Sequence, residues 1–285
     1  MSAPSLGSIC YSYDMKLLAG VVQMTSRASR TDNLERAEAL ITEAAQRGAT
    51  LIGLPENFAL FTTDESARRE NAEVLDGRGP IVSALAAVAR KLGVALVLGG
   101  MTERAAEAGE RAYNSCVYLG ADGAIAAVYR KIHLFDVAIP DEATYAESSG
   151  TAPGTSAVVV DTAWAKLGLS VCYDVRFPEL YRELAARGAQ VLVVPAAFTQ
   201  HTGRDHWHVL LRARAIENLC YVIAPAQFGA NTDKRNTFGH ALIVDPWGQV
   251  LAEVGDHEGV AVAELDLEYQ AKLRKQMPAL SHRRM

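Results

Sequence analysis

Arg47-Gly48-Ala49-Thr50-Leu51-Ile52-Gly53-Leu54-Pro55-Glu56-Asn57-Phe58 returns 140 positions later as Arg187-Gly188-Ala189-Gln190-Val191-Leu192-Val193-Val194-Pro195-Ala196-Ala197-Phe198. Each copy is an apolar run of strand length closed by proline, and in each a strand and a helix come first. The repeat implies two related α–β halves with pseudo-two-fold internal symmetry, each a sheet covered by helices, the sheets packed on one another. The apolar runs do not alternate, as expected of strands buried on both faces. The expected fold class is therefore α/β. The copies also act as a control, because Glu56 stands where the other half has Ala196, so this carboxylate is extra to what the framework requires.

Outward from the first copy, Leu17 to Met24 reads as a strand, and Asp32-Asn33-Leu34-Glu35 has capping-box spacing ahead of an apolar face of Leu34, Ala37, Ile41, Ala44 and Ala45. Pro80 to Leu92 is a helix with proline at its start and Gly93 past its end, followed by a strand from Val94 to Leu98. Tyr113 to Leu119 and Ala124 to Tyr129 flank Ala121-Asp122-Gly123 as a hairpin. Around the second copy lie a strand from Ser156 to Val160, a strand ending on Cys172, helices from Pro178 to Arg187 and Asp205 to Leu219, and a strand from Tyr221 to Ala226. A strand from Gly239 to Val244, a turn at Asp245-Pro246-Trp247-Gly248, two strands reaching Leu265 and a short helix complete the chain. Lys131 to Gly154 is polar and aperiodic, longer than an ordinary loop, and is a candidate lid. Residues 1–14 read as a loose leader, with Met15 as an alternative start, which leaves 15–285 as a single domain.

The balance of 33 acidic and 28 basic residues, mixed along the chain without a basic stripe, excludes a nucleic-acid partner. No run approaches the roughly 18 apolar residues of a membrane span, and the first residues lack a basic start and an apolar core, so the expectation is a cytoplasmic protein. Cys10, Cys116, Cys172 and Cys220 lie far apart without C-x-x-C spacing, which predicts free thiols. No glycine-rich phosphate loop occurs, so no nucleotide cofactor is expected.

Chemistry gathers where apolar runs end. Glu56 follows one, Lys131 a second, and Cys172 closes a third, and strand ends in α/β proteins converge on a crevice. A thiol at a strand-to-helix turn faces unpaired N–H groups that lower its pKa and hold an oxyanion. Glu56, its pKa raised by desolvation, can take the thiol proton and return it to a leaving amine, while Lys131 and the Tyr173 N–H stabilise the tetrahedral oxyanion. That is amide cleavage through a thioester. Other readings stay open at this level: Cys172 as a buried small hydrophobe, Glu56 as the cap of a helix near Phe58, Lys131 as a surface lysine. His201, His206 and His208 suggest a metal, but an i, i+2 pair on a helix points to different faces, and no metal is expected. His206 and Trp207 are expected to pack near the site, and Arg212 and Arg214 to serve ion pairs or a subunit contact.

Leu54-Pro55-Glu56-Asn57, Tyr129-Arg130-Lys131-Ile132-His133-Leu134-Phe135-Asp136 and Cys172-Tyr173-Asp174-Val175-Arg176-Phe177-Pro178-Glu179 resemble the three catalytic motifs of the nitrilase (carbon–nitrogen hydrolase) superfamily, in its order and approximate spacing. The resemblance covers nearly all of residues 15–284. It implies a four-layer αββα sandwich that forms a homodimer, and a catalytic set of Glu56, Lys131 and Cys172. It also implies a second glutamate after the lysine, matched by Glu147 rather than Glu142, that positions Lys131 and the substrate amide. The C-terminal half, through Ala226-Gln227-Phe228-Gly229 and Lys234-Arg235, is most similar to the branch that hydrolyses deaminated glutathione to 2-oxoglutarate and Cys-Gly, with the ω-amidase branch next. A small carboxylated amide is then the expected substrate, with Arg176 as its carboxylate anchor and Phe198 and Thr199 in the acyl pocket. The contrasting reading is a catalytically silent binding scaffold, which has no need of Glu56, Lys131 and Cys172 together.

Overall fold

The computed structural model describes residues 17–138 and 144–284. The expected leader over residues 1–14, Met15, Cys10 and Glu142 lie outside the described residues. The first half builds β1 (Leu17–Met24), α1 (Arg30–Gln46), β2 (Leu51–Gly53), α2 (Glu65–Glu70), α3 (Pro80–Leu92), β3 (Ala95–Glu103), β4 (Tyr113–Leu119) and β5 (Ile125–Arg130). A ribbon of β6 (Asp136–Ala138) and β7 (Thr144–Ala146) follows. The second half continues through β8 (Val158–Asp161), β9 (Lys166–Leu169), α4 (Pro178–Ala186), β10 (Val191–Val193), α5 (Gln200–Asn218) and β11 (Tyr221–Ala224). Then come β12 (Ala226–Thr232), β13 (Arg235–Phe238), β14 (Leu242–Val244), β15 (Val250–Glu253), β16 (Gly259–Leu265) and α6 (Leu267–Gln276).

The repeat seen in the sequence is a repeat of topology. β1, β2 and β3 run parallel with β4 and β5 antiparallel beside them, and β9, β10 and β11 run parallel with β14 and β15 antiparallel beside them. An antiparallel strand closes the outer side of each leading strand, β16 on β1 and β8 on β9. The registers agree, with Gly20 opposite Ile52 and Gly168 opposite Leu192. A Cβ on either glycine would come within 3.1 Å of a side chain behind it, Ala49 for Gly20 and Leu184 for Gly168, so the same close approach recurs in both halves.

Burial completes the four layers. Val22, Ile52, Leu96 and Leu98 pack with Leu40, Ile41, Leu85 and Ala89 of α1 and α3, giving the first helix–sheet layer pair. The opposite face of that sheet, with Leu17, Val21, Leu51 and Val97, joins Leu167, Leu169, Val193 and Ile223 of the second sheet and Leu184, Leu211 and Ala215 of α4 and α5 in one larger core. This is the αββα sandwich, and its continuous apolar strands are those covered on both sides.

Several boundaries differ from those the sequence suggests. Helix α1 starts one turn earlier, capped by Ser29, whose side chain accepts from the Asp32 amide, because Asn33 is buried and ties down the Arg27 and Ala59 carbonyls instead. Helix α5 starts at Gln200 rather than Asp205, with Thr199 as its cap. The segment from Lys131 to Gly154 is not without structure, since it holds the β6–β7 ribbon and a 3₁₀ turn at Glu147–Ser149. The β12–β13 hairpin was not anticipated: its polar residues lie at the edge of the first sheet, where one flank needs no apolar side chain.

Candidate active site

A cavity of about 460 Å³ opens where the chain leaves β2, β5, β9 and β10, and Glu56, Lys131, Cys172 and Ala197 line it. Cys172 does not end its strand but opens a 3₁₀ turn at Cys172–Arg176, three residues beyond β9. Its φ of 49° is in the left-handed region that a side chain disfavours, a strain that sequence neighbours alone would not maintain. The fold imposes it: the Cys172 amide donates to the Pro195 carbonyl at 2.9 Å, on the echoed segment.

Four of the expected residues meet. Lys131 is 2% exposed, and its ammonium donates to Glu56 Oε1 at 3.2 Å and to Glu147 Oε1 and Oε2 at 3.0 and 2.8 Å. The surface-lysine reading is therefore removed. Glu56 caps no helix; its Oε2 accepts from the Ala197 amide at 3.0 Å, its Oε1 also accepts from Asn114 at 2.9 Å, and the Cys172 thiol lies beside its carboxylate. Glu147 takes four hydrogen bonds, two from Lys131, one from Asn114 at 3.1 Å and one from the Phe135 amide at 2.7 Å. Those fill its acceptor sites, which suits fixing Lys131 and leaves none for a substrate amide.

The protonation states differ from the sequence expectation in both catalytic acids. Burial raises the pKa of the Cys172 thiol well above its usual value, and the Glu56 charge adds to this while Lys131 opposes it. The thiol is therefore neutral at rest, because the surrounding dipoles do not outweigh desolvation and a facing carboxylate. Burial pushes Glu56 upward too, yet the Lys131 charge and the contacts with Cys172 and Asn114 more than offset it, so its pKa is lowered. Lys131 loses charge stabilisation on burial, but Glu147 and Glu56 raise its pKa above the ordinary lysine value. The resting site holds an ammonium between carboxylates, with a neutral thiol beside one of them. Such a set can pass the thiol proton to Glu56 at the moment sulfur attacks.

Two residues that the sequence reading left without a role organise this contact. Asn114 bridges Glu56 and Glu147. Asp174, fully buried, accepts from the Val171 amide at 2.9 Å and Tyr129 OH at 2.7 Å, and from the His133 amide at 3.0 Å, with His133 Nδ1 at 2.7 Å. It thus braces the nucleophile turn against the strand that delivers Lys131. The available signal was a polar residue inside an otherwise apolar context, which folding tolerates only when it is fully bonded.

The remaining expected residues also line the cavity. Tyr173, Arg176, Phe198 and Thr199 face it, and Arg176 lies 5.2 Å above the Phe198 ring with both terminal nitrogens 3.3 Å from His206 Nδ1. Trp207 is buried 4.9 Å from Phe198 and donates to the His240 carbonyl. His208 points elsewhere, to Glu253 at 2.9 Å, where His240 also bonds at 2.5 Å; none of these three lines the cavity. Arg214 pairs with Glu217 at 2.7 Å, whereas Arg212 reaches the Gly248 carbonyl and makes no ion pair among the described residues. Cys116, Cys172 and Cys220 are free and buried.

Comparison with known proteins places these observations. The carbon–nitrogen hydrolase family model matches residues 18–275. The chain is 48% identical to a deaminated glutathione amidase of Synechocystis sp. over 93% of its own length and 97% of that protein. It is 43% identical to the human protein of the same name over 94% and 82% of the two chains. The crystal structure of the Caenorhabditis elegans NitFhit protein superimposes with a TM-score of 0.88 at 39% identity, covering 94% of this chain and 65% of that longer one.

Proposed function

This chain belongs to the carbon–nitrogen hydrolase family, and from that premise we propose that it hydrolyses the amide of deaminated glutathione, using Cys172 as nucleophile, Glu56 as general base and acid, and Lys131 as electrostatic partner. It is an amidase of the superfamily's linear-amide type. The observation that carries the residue assignment is the buried contact of thiol, carboxylate and ammonium at one cavity.

Sulfur attacks the amide carbonyl carbon as its proton passes to Glu56, forming the C–S bond and a tetrahedral oxyanion. Protonation of Glu56 weakens its hold on Lys131, which frees an N–H of the ammonium for the oxyanion. The Cys172 and Asp174 amides are engaged by the Pro195 and Val171 carbonyls, which leaves the Tyr173 amide as the second donor. Glu56 then delivers the proton to the departing nitrogen, the C–N bond breaks, and Cys-Gly leaves. Water, deprotonated by Glu56, attacks the thioester; the C–S bond breaks, the proton returns to sulfur, and 2-oxoglutarate is released. Arg176 anchors the acyl carboxylate, over the Phe198 ring that with Thr199 shapes the acyl pocket.

The homodimer expected from the resemblance is part of this reading. Val209 (67% exposed), Ile216 (48%) and Trp247 (51%) form an apolar strip, continuous because the turn at Gly248 packs on Ile216 and is held by Arg212. A cytoplasmic location fits a nucleophilic thiol that must stay reduced. No helix among the described residues is long and apolar enough to cross a membrane.

The test is a side-by-side assay of deaminated glutathione, 2-oxoglutaramate, simple aliphatic amides and nitriles with product identification. Release of 2-oxoglutarate with Cys-Gly at the highest kcat/KM is the expected result. A preference for 2-oxoglutaramate would replace the substrate by that of an ω-amidase, and inactivity on all would favour a silent scaffold.

A further inference from the structure

The cavity holds more positive charge than the reaction centre uses. Lys131 is taken by Glu56 and Glu147, and Arg68 by Glu65 at 3.1 Å and Thr151. Arg176 bonds, among the described residues, only to a histidine ring nitrogen. Arg235 makes no hydrogen bond through its guanidinium and no ion pair among the described residues; it lies 4.2 Å over the Tyr145 ring and 6.0 Å from that of Phe61. A half-buried guanidinium stacked on rings keeps its planar fork of N–H donors directed outward, and that fork matches a carboxylate.

Its position relative to the nucleophile is also informative. Tyr145 lies 5.0 Å from Phe135, and Phe135 lies 5.0 Å from Tyr173, the residue after Cys172, whose ring is 5.9 Å from Arg176. One wall of the cavity is thus a row of three rings with a guanidinium at each end. Arg176 sits beside the ring next to the nucleophile, and Arg235 lies two rings farther away. The platform beneath Arg235 is firm: the hairpin is fixed by buried Asn231, which donates to Ser26 O and Gln227 Oε1 and accepts from Thr237.

We infer that Arg235 binds a carboxylate on the leaving group, so that the site selects amides carrying a carboxylate on each side of the scissile bond. This rests on the reading of Arg176 as the acyl anchor and deepens it. In deaminated glutathione the acyl arm is short and the Cys-Gly arm is longer, in the same order as the near and far guanidiniums. An amide that releases ammonia has nothing for Arg235 to hold. The cavity volume is within the range of sites that enclose a ligand of this size.

Binding to the Cys172→Ala protein tests the inference without turnover. Calorimetry would compare 2-oxoglutaryl-cysteinylglycine with the same molecule ending in a carboxamide. The acid should bind about tenfold more tightly, the ratio should fall to near one in Cys172→Ala/Arg235→Gln, and Arg235→Lys should restore part of it, because charge returns without the fork. An equal affinity for acid and carboxamide before Arg235 is changed, or a ratio that survives Arg235→Gln, overturns the assignment. Failure of the proposed function is read separately, from kcat/KM of the unmodified enzyme on the acid and on 2-oxoglutaramate. An acid preference in binding with hydrolysis of neither would sustain the subsite and reject the reaction.

Discussion

Three positions have opposite characters in the two halves. Glu56 follows its strand and proline where the other half has Ala196; Lys131 follows β5 where Val254 follows β15; Cys172 lies four residues beyond Gly168 where Met24 lies four beyond Gly20. Ala196, Val254 and Met24 are buried apolar side chains with no polar work to do. The fold therefore asks for burial at these places and not for chemistry. One acid, one amine and one thiol replace apolar groups, and all three arrive at the cavity between the halves, where each meets a partner that satisfies it.

Exchanging side chains at matched positions should separate the two roles. Cys172→Ala is expected to abolish turnover with little change in melting temperature, because a small buried residue replaces another. Met24→Ala should instead cost about 2–5 kcal/mol of stability by opening a cavity, while folded molecules retain their turnover. A collapse of Cys172→Ala would make both residues equally structural and erase the contrast. Glu56→Gln should lower kcat by roughly 10²–10⁴, the usual worth of a positioned acid–base group. Glu56 has a lowered pKa and Cys172 a raised one, so the enzyme with both intact should show kcat/KM nearly independent of pH between about 6 and 8. An activity rise across neutrality that follows thiol ionisation, read from the pH–rate profile, would point to a preformed thiolate.

Lys131→Met is the third exchange, and it should remove the oxyanion donor, with loss of turnover, and also cost stability. It leaves Glu56 and Glu147 buried without their cation, at a cost of about 3–5 kcal/mol by denaturant titration, whereas Val254→Met should cost less because no charge is orphaned. Similar losses at both positions would show that the ammonium is not what holds the carboxylates. Smallest is the expected effect of Arg176→Ala, about a tenfold loss of kcat/KM on acidic amides and much less on neutral ones. Equal loss on both would remove Arg176 as the acyl anchor.

How much of this was readable in advance follows from what each feature depends on. The two halves were visible because Arg47–Phe58 and Arg187–Phe198 repeat a local pattern, and Glu56 stood out against Ala196 within it. Lys131 and Cys172 were legible as residues that close apolar runs and through their motifs, although Cys172 lies three residues past its strand. The β12–β13 hairpin was not, since its short polar strands carry no apolar period, and Arg235 went unassigned with it. The bracing by Asp174 and Asn114 depends on partners dozens of residues away, which no local pattern encodes. The direction of the Glu56 shift was missed for a related reason: desolvation was anticipated, but its size relative to the Lys131 charge is a matter of distance. Helix starts at Arg30 and Gln200 moved because Ser29 and Thr199, rather than the more obvious acidic residues, reach the free amides.

The central claim is that side chains from both halves combine to make a covalent intermediate on one sulfur. Acid quenching of the enzyme during turnover of deaminated glutathione, followed by peptide mass analysis, tests it most directly. The account predicts a 2-oxoglutaryl thioester on the peptide containing Cys172, with none in Cys172→Ala. An adduct on another residue, or turnover that persists in Cys172→Ala, would contradict it.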